Sequence, residues 1–346
     1  MKYRTLGRTG IKVSPYALGA MMFATRIGNT DPEDSIRVIH RALDAGINLV
    51  DTADGYGDSE EIVGRAMKRR REHIVLATKF TRPLGEDPNQ RGASRRWIMT
   101  AVEGSLRRLQ TDHLDLYQVH RPDPDTDIEE TLSALTDLVR VGKIRVFGTS
   151  TMPASDLVEA HWVSERRGLE RFRTEQPPYS ILSRGIEREV LPVARRYGMG
   201  VLAWGPLGQG MLTGRVRRGQ DNDLTRATMM SVFRDERRLD AVEQLVTLAE
   251  QAGLSMPTWP WRSRSRTPTS RARCSDPEPC PSSRTSSPAS TSTSPTTSST
   301  ASTRSSRRGP TSAPWTRPIS PRRSRRTAAA PPARRALRDL TGPNGS

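Results

Sequence analysis

Four side chains can do chemistry together if the fold gathers them: Asp51, Tyr56, Lys79 and His120. The apolar pair Leu49-Val50 leads into Asp51, and turn formers at Gly55, Gly57 and Asp58 follow, so this stretch reads as a buried strand delivering a carboxylate to a loop. Tyr56 comes five residues after Asp51, near enough for both to face one pocket. A free phenol has a pKa of about 10 and holds its proton at neutral pH. Lys79, held by Asp51, would place a cation beside Tyr56 and lower that value, making the phenol a proton donor to a carbonyl oxygen. His120 would add a hydrogen bond that orients the substrate. The set holds no catalytic cysteine, no His-x-x-x-His and no paired acids arranged around a water, so nucleophilic and metal chemistry are not expected. Protonating an oxyanion requires electrons from elsewhere, and hydride from a nicotinamide would supply them.

The elements that must position these groups alternate along the chain. A small hairpin over Lys2 to Val13, turning at Gly7 to Gly10, precedes a first strand at Tyr16 to Gly19. Helices are expected at 32–45, 59–69, 94–109, 128–141, 155–166 and 187–197, and strands at 47–51, 73–79, 114–120, 144–148, 173–176 and 200–204. Strand and helix in alternation call for a parallel sheet. No Gly-x-Gly-x-x-Gly follows the first strand, which disfavours an open dinucleotide-binding sheet and favours a (β/α)8 barrel, incomplete as written because only seven strands are found. In such a barrel the chemistry belongs at the carboxyl ends of the strands. Asp51, Lys79, His120, Thr149 with Ser150, Gln176, and Trp204-Gly205-Pro206 stand there, one group per strand. Trp204 offers a face for a nicotinamide ring, Ser150 and Gln176 suit its carboxamide, and the loop Gly205 to Gly210 lets backbone approach a pyrophosphate.

Composition narrows the partners. The formal charge of +17 points at first to an anionic polymer or a membrane surface. Residues 257–346, however, hold 17 Arg, no Lys and three acids, so the tail carries +14 and the preceding 256 residues only +3. The body is nearly neutral, and neither a nucleic-acid nor a membrane partner is expected. Both cysteines, Cys274 and Cys280, also lie in the tail, no long apolar run is present, and Met1-Lys2-Tyr3-Arg4 opens no signal peptide, so a cytoplasmic protein is expected.

The body, residues 1–256, resembles the aldo-keto reductase superfamily. The resemblance is carried by Asp-Thr-Ala-x-x-Tyr-Gly at 51–57, Ala-Thr-Lys at 77–79, Asp115-Leu116-Tyr117-Gln118-Val119-His120, Gly-x-Ser at 148–150, Glu175-Gln176-Pro177-Pro178-Tyr179-Ser180, and Trp204-Gly205-Pro206-Leu207-Gly208-Gln209-Gly210-Met211-Leu212-Thr213-Gly214. It implies a tetrad of Asp51, Tyr56, Lys79 and His120 that reduces a small aldehyde or ketone with NADPH and without a metal. It also implies a cofactor site of Gly19, Asp51, Ser150, Gln176, Trp204, Gly205, Pro206, Leu207, Gly208 and Gly210. Thr151 stands where many members have Asn, and Trp204 where many have Tyr. A cofactor-binding regulatory subunit on the same fold is the first alternative reading, and anion or nucleic-acid binding through the basic tail the second.

After Met256 the composition breaks: residues 257–346 contain no Val, Phe, Tyr, Met or Lys and a single Ile. A segment of Ser, Thr, Pro, Arg and Ala cannot bury a core and reads as disordered. It begins where a barrel needs its eighth strand, and the codons imply a reason. Tryptophan is encoded only by TGG, so Thr258-Trp259-Pro260-Trp261, read one nucleotide back, becomes an apolar run of the His-Leu-Ala-Leu-Ala kind. Arg273 to Pro279 can likewise be written to give Met-Leu-Gly-Pro-Gly-Thr, similar to the family's eighth strand and its loop. The tail is therefore expected to be a frameshifted translation, a nucleotide having been lost near codon 258.

Overall fold

The computed structural model describes residues 1–28, 31–215, 217–218, 234–254 and 256. The expected tail, 257–346, lies outside the described residues. An antiparallel hairpin, β1 (Arg4–Thr5) and β2 (Lys12–Val13), precedes seven parallel strands in chain order: β3 (Ala17–Gly19), β4 (Leu49–Asp51), β5 (Val75–Phe80), β6 (Leu114–Val119), β7 (Ile144–Ser150), β8 (Thr174–Gln176) and β9 (Gly200–Val201). Between them run α1 (Pro32–Asp44), α2 (Ser59–Met67), α3 (Arg95–Leu109), α4 (Ile128–Arg140), α5 (Ala154–Arg167) and α6 (Val190–Tyr197). The sheet curls into a partial (β/α)8 barrel. Among the described residues β3 and β9 each have one sheet neighbour, so the cylinder is not closed.

Local chemistry accounts for several helix ends. Asp31 accepts a hydrogen bond from Glu33 N at 2.9 Å and Pro32 opens α1, while Ser94 accepts from Trp97 N at 3.3 Å to start α3. Gly168 and Gly198, at φ +64° and +67°, stop α5 and α6 in the left-handed conformation. Two elements depart from the sequence reading. The strand expected at 200–204 keeps ladder pairing only over Gly200–Val201, with Trp204 rejoining through a single bridge to Pro178. Pro206 beyond it cannot donate to a ladder, and Gly205 turns the chain at φ +63°. The helix expected from Glu187 starts as a 3-10 turn, Gly185–Glu187, and becomes α-helical only at Val190.

A seventh helix, α7 (Glu236–Gln251), was not foreseen, although Leu239, Val242, Val246 and Ala249 recur at helical spacing and Asp235 caps it. These four pack on Met211, Leu212 and Met256 as a small separate cluster. The main core lies between sheet and helices, around Val50, Leu76, Phe80, Tyr117 and Phe147. The third cluster, Leu6, Val13, Leu49, Val75, Ala77, Leu116 and Leu202, joins hairpin residues to the inward side of the strands. The hairpin is therefore the floor of the barrel.

Gly7 permits that floor to seat. At φ +55° it lies so close to β9 that a Cβ would stand 2.4 Å from the Gly200 nitrogen. Gly10 has φ +82° but open space around it. Gly7→Ala should therefore lower the unfolding free energy by roughly 2 kcal/mol or more, and Gly10→Ala by about 1 kcal/mol, from left-handed strain alone. Urea titration of both variants compares them, and equal losses would show that the hairpin does not press on β9.

Candidate functional site

The strand period of two sorts the site. Inward residues of β5 are Val75, Ala77 and Lys79; those of β6 are Leu116 and Gln118, with His120 one step past the strand; those of β4 are Leu49 and Asp51. Each row starts apolar at the hairpin floor and ends polar at the carboxyl rim. Parallel register pairs Asp51 with Ala77 and Lys79 with Gln118, which brings the three polar ends to adjacent levels.

Lys79 is 1% exposed, and its ammonium donates to Asp51 Oδ2 at 2.6 Å and to the Thr52 carbonyl at 2.7 Å. Gln118 donates from Nε2 to the other oxygen, Asp51 Oδ1, at 3.2 Å. The buried ion pair is thus tied by hydrogen bonds on both sides, the condition under which a desolvated pair is tolerated. The Lys79 nitrogen stands 5.1 Å from the centre of the Tyr56 ring, a cation-π distance. The Tyr56 hydroxyl lies 3.4 Å from His120 Nε2, with the two rings edge to face at 5.5 Å. Burial first, then Lys79, Arg121 and Arg82, push the His120 pKa down to about 2, so the imidazole is neutral. Its Nδ1 is buried with no partner among the described residues. Asp51, Tyr56, Lys79 and His120 therefore form one cluster.

The remaining expected residues stand on β7, β8, the turn after β9, and β3. Ser150 and Gln176 are paired in register, and the Ser150 hydroxyl donates to the Gln176 carbonyl at 2.9 Å. Gln176 keeps its side-chain amide out of any hydrogen bond among the described residues. Trp204 donates from its indole nitrogen to Thr151 Oγ1 at 3.4 Å. Gly205, Pro206, Leu207, Gly208 and Gly210 continue from Trp204 as a turn, in which Gly205, Gly208 and Gly210 all have positive φ. Leu207 packs toward the α7 cluster. Gly19 pairs with Asp51 across β3 and β4, and the next amide, Ala20 N, donates to the Asp51 carbonyl at 2.8 Å.

Three participants escaped the sequence reading. Gln118 carries a signal, since it lies two before His120 and so on the same strand face. Arg121 follows His120 directly at a strand's carboxyl end. Its Nη1 donates to the His120 carbonyl at 2.7 Å, to Thr151 Oγ1 at 3.2 Å and to Ser150 Oγ at 3.4 Å, and the guanidinium stands 5.9 Å from the Trp204 ring centre. Glu175, fully buried on the outward face of β8, accepts from Thr149 Oγ1 and from Met152 N and so holds the turn through Thr151, whose φ is +57°. Burial raises its pKa to about 7. The other histidines are structural where partners are seen: His40 Nε2 meets the Ala66 carbonyl at 2.9 Å, and His161 stacks on Tyr197 at 4.0 Å. Among the described residues no cluster of His, Cys, Asp and Glu suited to a metal is found.

Next to the cluster in sequence lies Asp54, whose backbone nitrogen donates to the Lys79 carbonyl at 3.1 Å while both carboxyl oxygens are buried with no partner among the described residues. Burial, then repulsion from Glu60, raises its pKa from 3.8 to about 7. The folded chain thus keeps a proton that the unfolded chain releases, and its stability falls as pH rises through that window. Asp54→Asn abolishes this titration. The stability of the variant relative to the parent should increase by roughly 2 to 4 kcal/mol between about pH 4 and about pH 8, read from urea midpoints. A difference independent of pH would show that the carboxyl ionises normally.

With this geometry in view, the comparisons with known proteins can be placed. The sequence model described as the aldo/keto reductase family matches residues 16–262. The chain is 40% identical over 267 residues to the uncharacterized oxidoreductase YrpG of Bacillus subtilis, which covers 73% of this chain and 80% of that one. It is 41% identical over 221 residues to the aldo-keto reductase YhdN of the same organism, 62% of this chain and 65% of that one. It is also 38% identical over 225 residues to a probable voltage-gated potassium channel subunit beta of Oryza sativa, 63% of this chain and 68% of that one. The chain belongs to the aldo/keto reductase family, a class of oxidoreductases that act on small carbonyl compounds and generally use a nicotinamide nucleotide. Among the described residues no helix is long and apolar enough to cross a membrane.

Proposed function

We propose that the chain reduces an aldehyde or ketone to an alcohol with NADPH, Tyr56 donating the proton to the carbonyl oxygen. The observation that carries this reading is the packing of Tyr56 between the Lys79 ammonium, 5.1 Å from its ring centre, and His120, 3.4 Å from its hydroxyl. A substrate oxygen meeting Tyr56 and a neutral imidazole finds hydrogen-bond donors where negative charge develops, and the buried cation stabilises that charge through the low-dielectric surroundings. Asp51 and Gln118 hold Lys79 in place. The unengaged amide of Gln176, the Ser150 hydroxyl and the Trp204 indole fit a ring bearing a carboxamide, and the positive-φ turn at Gly205 to Gly210 suits a pyrophosphate. Gly19 completes the proposed site through its place beside Asp51. When bound, the nucleotide supplies hydride; the chain supplies proton, orientation and charge.

A second reading, a cofactor-binding regulatory subunit on the same fold, is favoured by the likeness to the potassium channel subunit beta sequences of Oryza sativa and Arabidopsis thaliana. Turnover separates the two. In a NADPH oxidation assay of the frame-restored chain with an aldehyde panel, Tyr56→Phe should reduce kcat/KM by roughly 100-fold or more. Unchanged rates would remove Tyr56 as proton donor, and slow turnover by the parent with tight nucleotide retention would favour the regulatory role.

The proposal extends to the chain's organisation: residues 1–256 are the barrel domain, and the sequence from 257 onward is the product of a displaced reading frame. Supporting this are the codon constraint at Trp259 and Trp261, the sharp change of composition, and the seven strands of a family matched to residue 262. Among the described residues no eighth strand joins β3 to β9, and edges left so would stay unpaired and let water into the interior. Inserting one nucleotide near codon 258 should therefore raise the melting temperature by several degrees and increase NADPH-dependent turnover. A frame-restored chain no more stable and no more active than the literal one would defeat the idea.

A further inference from the structure

Two guanidinium groups at the rim have no part in the proton-donating cluster. Arg82 stands two residues beyond the end of β5 and Arg121 two residues beyond the end of β6, so adjacent strands deliver them to the same mouth. Most other arginines near an acid are paired, for example Arg71 with Asp115 at 2.9 Å and Arg108 with Glu60 at 2.7 Å. Among the described residues no carboxylate lies within ion-pair distance of Arg82 or Arg121. Arg121 commits only Nη1 to hydrogen bonds, leaving Nε and Nη2 of its fork free among the described residues. Arg82 has no hydrogen-bond partner among them either. Its stem lies along Gly55, where an added Cβ would stand 3.2 Å from Arg82 Cβ and 3.4 Å from Cδ, so the missing side chain at 55 makes room for Arg82 beside Tyr56.

Backbone strain points the same way. Thr81, a β-branched residue at φ +100°, turns the chain into Arg82, and its hydroxyl accepts from the Arg121 nitrogen at 3.1 Å, joining the two loops. Thr151, at φ +57°, accepts from the Arg121 side chain. Non-glycine residues in such conformations are strained and persist where the surroundings hold them. Here both strained threonines fix the position of Arg121. An unneutralised pair of guanidiniums in a cleft attracts anions, and the planar fork matches a carboxylate.

We infer that Arg82 and Arg121 receive the carboxylate of an anionic carbonyl substrate, a short oxo acid, beside the Tyr56 and His120 pair that takes its carbonyl oxygen. The inference rests on the reductase reading of that pair and names the substrate class it serves. The same chemistry would also accept a phosphate of the nucleotide, but Arg121 sits against His120 and Ser150, at the end where the carbonyl is handled, and this favours the substrate.

Isothermal titration of the full chain with 4-oxobutanoate and with butanal isolates the carboxylate. The parent should bind 4-oxobutanoate about tenfold or more tightly than butanal, and Arg82→Gln and Arg121→Gln should each bring that ratio toward one. A structural role would weaken both ligands together and leave the ratio intact, which overturns the inference, as does a parental ratio near one. NADPH titrated in parallel distinguishes the source: a loss confined to NADPH affinity assigns the pair to a nucleotide phosphate and also overturns it. Failure of the frame-restored chain to oxidise NADPH with either aldehyde sinks the reductase reading instead, while the binding ratio is still read separately.

Discussion

The buried contact between Lys79 and Asp51 is the constraint on which the site depends. A lysine 1% exposed inside a barrel is tolerated only if the ammonium is met at close range, and three groups meet that need: Asp51, the Thr52 carbonyl and, through Asp51, Gln118. Because those partners come from β4, its following turn and β6, the ion pair also fixes how three strands sit against one another. Tyr56 and His120 are then positioned around a charge that cannot move without leaving an acid stranded.

The interior of the barrel has a direction. Inward rows begin with leucine and valine against the hairpin floor and finish with Asp51, Lys79, Gln118, His120, Ser150 and Gln176 at the other end. The apolar layers expel water and hold the register, and one residue's slip in any strand would turn its polar end into the helical layer. The outward face carries its own buried acids, Asp54 and Glu175, both at pKa values of about 7 because burial dominates. Glu175 shows why such a cost is retained: its oxygens hold the turn at Thr149 to Met152 that presents Ser150.

Arg82 and Arg121 bring positive charge to the rim with no paired acid among the described residues. Burial first, then Lys79, Arg121 and Arg82, disfavours a proton on His120, which stays neutral. The result is a cationic mouth above an apolar floor, the two being separated by only a few residues along each strand.

Much of this was legible from residue order. The alternation of elements, the helix caps at Asp31 and Ser94, and the polar residue ending each strand are local signals, and parallel strands convert strand ends into a shared rim whatever the fine geometry. Asp51, Lys79 and His120 follow from that rule, and Tyr56 from its place in the loop that Asp51 opens. Gln118 and Arg121 obeyed the same rule yet were passed over, because a glutamine inside a strand and an arginine after a histidine have ordinary surface roles in most sequences. Glu175 and α7 were hidden for another reason: one lies on the outward face, where its partners are a turn 23 to 26 residues away in sequence, and the other packs on a satellite cluster rather than the sheet. Which groups face inward is set by a period of two that sequence carries. Which of them touch is set by register between strands separated by whole helices, and only the folded sheet, with its buried ion pair as the pin, decides that.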